Sequence, residues 1–442
     1  MDISRAVEKH RQLILDAERY IWAHPETGYK EFETTKYLAD KFRELGYELT
    51  MADGITGFYT VIDTGRKGPE VLVLGELDSI ICPEHPECNK ETGAVHSCGH
   101  NAQCAALLGI AAALKEDGIL DSLSGRIRLC AVPAEELLEL EFRAKLKAEG
   151  KIKYFGGKPE FLRRGYFDGV DMAFMVHTAT SYLANLGDVG CVVKSVIYKG
   201  RAAHAGGAPQ LGINALYAAN LGLNAVNAIR ETFTECDQIR FHPIITHGGD
   251  MVNAIPETAR IETYVRGSSF DAIMRENKKI NRALVGAALS IGANVEIIDF
   301  PGYAPLTNDP GMTEIAIEAM KIALPNEPFF HENSRSSGST DMGDLCCIMP
   351  VAQPYAGGAV GRGHGNDYQI ADPEKACVDN AKWQLTMLTL LLENGAERAK
   401  KIIDGFTPLF TKDEYLSYLD AIEASGDRID YTDDSRAVAW ID

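Results

Sequence analysis

Val71-Leu72-Val73-Leu74-Gly75-Glu76-Leu77-Asp78 is a short β-rich run that ends in two acids. Runs of the same kind recur at residues 127–132 and 172–176, and helical periodicity fills the chain between them, beginning just after Gly99. That alternation predicts a mostly parallel sheet with covering helices, an α/β architecture. Upstream, apolar residues at helical spacing predict helices over residues 7–21 and 32–45, with Pro25 between them and Gly46 placed to end the second. The rhythm changes at Cys191. Strand 192–198, helix 213–229, two strands around 239–245 and 259–265, helix 272–291 and strand 294–300 follow in the β-α-β-β-α-β order of a ferredoxin-like unit. After Pro301 and Pro305 the helix and strand alternation resumes, so the second unit reads as inserted into the first. The expected division is 1–190 and 305–442 for the main domain and 191–304 for the insert. Residues 400–442 read as helical and increasingly acidic.

The chain has 442 residues with 45% hydrophobic and 24% charged content, enough to bury a large core in two domains. Residues 1–22 are amphipathic and charge-rich, unlike a signal peptide, and the alanine-rich stretch 105–114 is too short to span a bilayer. A net charge of −19, from 44 basic and 63 acidic residues, excludes a phosphate-backbone partner, which needs clustered Lys and Arg. The 10 cysteines are scattered through apolar segments, among them Cys130, Cys191, Cys346 and Cys347, as expected of reduced thiols in a cytoplasmic protein without disulfides.

Four separated elements carry groups that bind metal. His96-Ser97-Cys98-Gly99-His100-Asn101 offers a thiolate and an imidazole two residues apart, with glycine letting the backbone turn both toward one point. Its plain structural reading is a buried thiol beside a satisfied histidine. Ala131-Val132-Pro133-Ala134-Glu135-Glu136 ends an apolar strand where open α/β sheets place ligands. Adjacent carboxylates point in different directions, so one can bind metal while the other serves as a general base; otherwise the pair is a solvated helix start. His177 ends the run 172–176, and His364 lies in Gly361-Arg362-Gly363-His364-Gly365. Together these elements could hold two ions.

With these residues in view, the chain resembles the M20 metallopeptidase and aminoacylase family, in its amidohydrolase branch with a Cys-Gly-His motif, nearest to the aminoacylase-1-like dipeptidases. The resemblance covers most of the chain. It rests also on His24-Pro25-Glu26-Thr27-Gly28-Tyr29, Leu77-Asp78, Gly200-Arg201-Ala202-Ala203-His204-Ala205, Asn253-Ala254-Ile255-Pro256 and Gly338-Ser339-Thr340-Asp341. It implies that Cys98, His100, Glu136, His177 and His364 hold two divalent ions, that Glu135 is general base and acid, and that Asp78 orients a ligand from behind. Zinc, manganese and cobalt suit these donors alike. The inserted unit would be a lid that builds a homodimer, with His204 reaching the neighbouring active site to stabilise the oxyanion. Asn253, Arg266, Gly338 and Ser339 would contact substrate, and the guanidinium of Arg266 suits a free carboxylate on it.

The implied reaction is hydrolysis of the amide bond of an N-acyl amino acid or small dipeptide, by a metal-bridging water that Glu135 deprotonates. Three positions depart from the branch: Asn101 and Gln103 stand where Asp and His are usual, and Glu76 where an aspartate is. Residues 137–157 are also longer and more charged than in typical aminoacylases. Two rival readings are a thiol hydrolase using Cys98, with Glu136 orienting the Cys-His pair, and a ligand-binding protein on a retired scaffold. For Arg266 the rival is a pairing with Glu262 or Glu257.

Overall fold

The computed structural model describes residues 2–423, 425–433 and 436–441, and they form two compact units. The first comprises the chain to Gly187 with Leu306–Ser336 and Thr340–Lys412. Its six-stranded sheet runs in the order Thr50–Met51, Phe58–Asp63, Arg126–Val132, Glu70–Glu76, Met172–Phe174, Val351–Ala352. The last four are mutually parallel and the first two antiparallel, which is the expected mixed α/β sheet. Every residue of Glu70–Glu76 is buried, as in a strand covered on both faces. Helix His100–Ala113 is likewise buried throughout, because its alanines and Gly109 let neighbours approach closely. A Cβ at Gly109 would fall 2.6 Å from Ile14 Cδ1, so overpacking there would cost about 1–3 kcal/mol.

The helix expected over 7–21 is two, Ile3–Glu8 and Arg11–Ala23. The chain breaks at His10, whose ring nitrogen sits 2.9 Å from Glu116 while the adjoining Lys9 binds the same carboxylate. Helix Phe32–Glu44 ends where expected, with Gly46 at φ 78° and Tyr47 N–H donating to Phe42 O. Residues 137–157 contribute a helix, Leu140–Ala148, anchored by buried Arg143.

The second unit comprises Asp188–Pro305, Ser337–Ser339 and the chain from Asp413 on. Strand Gly190–Lys199, helix Ala215–Ile229, strands Arg240–Phe241 and Ile244–His247, strand Thr258–Gly267, helix Phe270–Ser290 and strand Asn294–Pro301 follow in sequence. In the sheet, Gly190–Lys199 lies between Thr258–Gly267 and Asn294–Pro301, all antiparallel. Strict alternation of burial along Thr258–Gly267 packs one face on the helices. The strand around 239–245 is interrupted at His242-Pro243, since proline donates nothing to the ladder.

Two expectations are corrected at the C-terminus. The chain from Asp413 clusters with the second unit, whereas the sequence pattern puts all of 305–442 in the first. Residues 400–442 are also not helical throughout: helices Glu397–Gly405 and Lys412–Ile422 give way to strands Ile429–Asp433 and Arg436–Ala439, which pair antiparallel. Ile429 and Ala439 join the apolar core of the second unit, and Arg428 N–H donates to Val295 O, so burial of alternate apolar residues overrides the acidic composition. No helix among the described residues is long and apolar enough to cross a membrane.

Candidate metal centre

Three of the parallel strands of the first unit, Glu70–Glu76, Arg126–Val132 and Met172–Phe174, lead into candidate donors at their C-terminal ends. Glu70–Glu76 ends at fully buried Glu76; Leu77 N–H then donates to Val132 O at 3.0 Å, tying this end to that of Arg126–Val132. Asp78 fastens two neighbours. Its Oδ2 accepts from Glu136 N–H at 2.8 Å, and its backbone oxygen lies 2.9 Å from His100 Nδ1. With Nδ1 so engaged, His100 presents Nε2, a buried atom 3.3 Å from Glu76 Oε2.

Past Pro133, Ala134 adopts φ 56°, a conformation costly for a residue with a Cβ, and Glu31 Oε1 holds it by accepting its N–H at 2.8 Å. Past this turn the Glu135 and Glu136 carboxylates both come within 4.8 Å of a His100 ring nitrogen. Gly99, at φ 87°, precedes helix His100–Ala113 and turns Cys98 and His100 inward; a Cβ there would strike the Tyr368 hydroxyl and the Thr178 side chain. Cys98 Sγ lies 3.5 Å from His177 Nε2, whose other nitrogen is 2.8 Å from Thr178 O. His364, at φ 62°, is pinned by its N–H to Ser97 O at 2.8 Å and places Nε2 2.9 Å from Glu136 Oε1.

Cys98, His100 and His177 thus form one group of donors, and Cys98, Glu136 and His364 another, each with atoms within 4.8 Å of one another. The two share the Cys98 sulfur. Glu135 joins His100 and Glu136 in a third such group. The chemistry of the site fits cations. Burial alone would lower His100, but Glu76, Asp78 and Glu136 outweigh it and push its ring up to about 9. Burial would raise Glu136, yet His364, His100 and a hydrogen bond from Cys98 hold it at about 2. Glu135 is driven well above the carboxylate range by burial and by the charge of Glu76 and Glu136. Burial and the same acids raise the Cys98 thiol. Soft and borderline donors converging among mutually repelling acids suit two divalent ions.

Nothing in the sequence marks Lys158 as a site residue. Fully buried, it places Nζ 2.6 Å from Glu76 Oε1 and against Asp341 Oδ1, and its backbone N–H donates to Asp341 Oδ2 at 3.0 Å. Glu76, Glu135 and Asp341 form a further acidic cluster, which Lys158 counters. The departure at Asn101 has a local cause: its Nδ2 donates to buried Glu18 Oε1 at 2.9 Å, where an aspartate would oppose a second carboxylate. Gln103 is buried with both amide atoms unpartnered, as are both ring nitrogens of His96, and burial with the nearby His100 presses His96 down to about 3.

The remaining expected residues lie in the second unit. The exposed His204 accepts from Gly206 and Gly207 N–H on Nδ1, at 3.2 and 2.9 Å, which leaves Nε2 as the donor of the neutral ring. The exposed Asn253 accepts from Ala205 N–H at 3.0 Å. Arg266 stacks 5.5 Å from the Tyr264 ring, and its Nη1 donates to Ser337 O at 3.3 Å. Among the described residues it forms no ion pair with Glu262 or Glu257. Gly338 O accepts from Val189 N–H at 2.9 Å, and Ser339 Oγ is buried without a partner.

A family model described as peptidase family M20/M25/M40 matches residues 72–390. Xaa-Arg dipeptidase of Mus musculus is 30% identical over 356 residues, 76% of this chain and 74% of that protein. One of the subunits of the p-aminobenzoyl-glutamate hydrolase of Escherichia coli is 28% identical over 302 residues, 66% of this chain, which spans 59% of that relative's length. Among solved structures, a dinuclear metal-binding peptidase of the M20 family from Bacillus subtilis superposes with a TM-score of 0.63 at 21% identity, covering 87% of this chain and 99% of that one.

Proposed function

Because the chain belongs to peptidase family M20/M25/M40, we propose that it is a two-metal amidohydrolase acting on an N-acyl amino acid or a small dipeptide. The observation that carries the reading is the pair of three-donor groups sharing the Cys98 sulfur, with the Glu135 carboxylate beside them. Cys98, His100, Glu136, His177 and His364 hold the ions, and Asp78 fixes the His100 ring and the Glu136 backbone from behind. When bound, two divalent ions polarise the amide carbonyl and acidify the attacking water.

Glu135 moves the proton. Its carboxylate takes one from the attacking water and returns it to the leaving nitrogen, work suited to a carboxyl whose proton affinity burial and neighbouring acids have raised. His204, through Nε2–H, serves as oxyanion donor, and Arg266 binds a free carboxylate on the leaving amino acid, with Asn253, Gly338 and Ser339 contacting substrate. The inserted unit is the lid and dimerisation module of a cytoplasmic homodimer. A cysteine nucleophile would leave the Glu135–Glu136 pair and His364 without a role.

The test is turnover of N-acyl amino acids and dipeptides by metal-loaded protein. Hydrolysis that stops on chelation and returns with added metal supports the reading. Hydrolysis indifferent to chelation, yet abolished by alkylation of Cys98, would replace it with the thiol mechanism.

A further inference from the structure

Cys346 and Cys347 are adjacent in sequence and take no part in the proposed reaction. They close the five-residue helix Met342–Cys346, with Cys347 as its last cap. Cys346 is partly exposed and Cys347 buried. The Thr307 N–H points at Cys346 Sγ at 3.4 Å. Beside it lies the Arg335 guanidinium, fixed by hydrogen bonds to Leu306 O and Thr307 Oγ1. Cys347 Sγ donates to Gly343 O at 3.3 Å.

We propose that Cys346 and Cys347 form a vicinal dithiol that a hydroperoxide oxidises reversibly to a disulfide, with Cys346 the attacking sulfur and Cys347 the resolving one. The division of roles follows from access and from hydrogen bonding. Of the two, Cys346 is the more exposed, and the Thr307 N–H donates to its sulfur beside the charge of Arg335. The Thr307 N–H and the Arg335 charge both favour the thiolate form of Cys346. The thiolate is the nucleophile toward peroxide.

The steps balance. Cys346 thiolate attacks the peroxide O–O bond and becomes the sulfenic acid, releasing the alcohol or water of the hydroperoxide with one proton taken up. The Cys347 sulfur then attacks the sulfenic sulfur, its thiol proton leaves with the hydroxyl as water, and the S–S bond forms. Adjacent Cα atoms are about 3.80 Å apart, closer than the roughly 4.4–6.8 Å that relaxed disulfides span. Closing this ring therefore turns the Cys346–Cys347 peptide and disturbs the end of a helix whose other end is Asp341, the partner of Lys158.

The experiment uses metal-loaded, full-length protein, so that Cys98 is engaged, and reads mass rather than turnover, so it stands whether or not the proposed reaction does. Protein is treated with limiting hydrogen peroxide, free thiols are alkylated, and peptides are mapped. The peptide spanning 346–347 is expected to lose two hydrogens, take up no alkyl group, and regain both alkylation sites after dithiothreitol. In Cys347→Ala, dimedone should trap the sulfenic acid on Cys346. The exposed Cys236, which has no adjacent cysteine, is the internal comparison. Oxidation of Cys236 while Cys346 and Cys347 both remain alkylatable would overturn the proposal, as would dimedone labelling of Cys347 in Cys346→Ser at the rate seen for Cys346.

Discussion

Replacing Lys158 with Met keeps the length of the side chain and removes the ammonium that bridges Glu76 and Asp341. All three side chains are fully buried. At 2.6 Å from Glu76 Oε1, the Coulomb attraction at an effective dielectric of about 20 is about 6 kcal/mol. Desolvation offsets part of it, and breaking a buried pair by removing one partner costs about 3–5 kcal/mol. The sign of the pH dependence follows from the carboxylates left behind. In the unsubstituted protein, burial raises Asp341, Lys158 pulls it down and Glu76 pushes it up again, leaving it at about 6. Without Lys158 the folded-state value of Asp341 rises further and that of Glu76, now held below the ordinary carboxylate value, rises too. The deficit is then absent below the unfolded carboxylate range near about pH 4, grows as pH rises, and levels off above the new folded values. Denaturant unfolding of both proteins at equal metal saturation, from about pH 4 to about pH 8, measures this. Adding Asp341→Asn should recover about 1 kcal/mol or more, since a neutral amide is cheaper to bury. A Lys158→Met protein within about 0.5 kcal/mol of the original across that range would refute the argument.

Asn101→Asp should set a second carboxylate against Glu18 and destabilise the protein by about 1–3 kcal/mol; thermal unfolding reads it, and Glu18→Gln in the same chain should restore the loss. If Arg266 binds the substrate carboxylate, the amidated analogue should lose about 30- to 1000-fold in kcat/KM, and Arg266→Ala should erase the difference. Equal kcat/KM for acid and amide would return Arg266 to a structural role. Sedimentation should find a homodimer; a monomer with full activity would remove any action of His204 across subunits.

Three central strands of the sheet were legible because they are continuous apolar runs, whereas Thr50–Met51, Phe58–Asp63 and Val351–Ala352 escaped because they are very short or only half buried. The candidate donors Cys98, His100, Glu135, Glu136 and His177 could be singled out because each stands at or just past a strand or helix end, while their roles came from the family resemblance. Lys158 could not be. It follows a lysine-rich stretch that reads as solvated, and it is buried only because Glu76 and Asp341, 82 and 183 residues away in sequence, meet it. Glu18 was hidden similarly, on a helix whose pattern gives no hint of an amide arriving from 83 residues away. The terminal hairpin escaped because five acidic residues between 427 and 442 mask the alternation of Ile429 and Tyr431 with Val438 and Trp440.

Two ions held by Cys98, His100, Glu136, His177 and His364, with Glu135 moving the proton, are the central claim. Elemental analysis paired with turnover on three proteins tests it most directly. The unsubstituted chain and Glu135→Ala should both carry two ions, Glu135→Ala should be slower by about 10² or more, and Glu136→Ala should lose metal and activity together. Full activity in Glu135→Ala, or full metal content in Glu136→Ala, would contradict it.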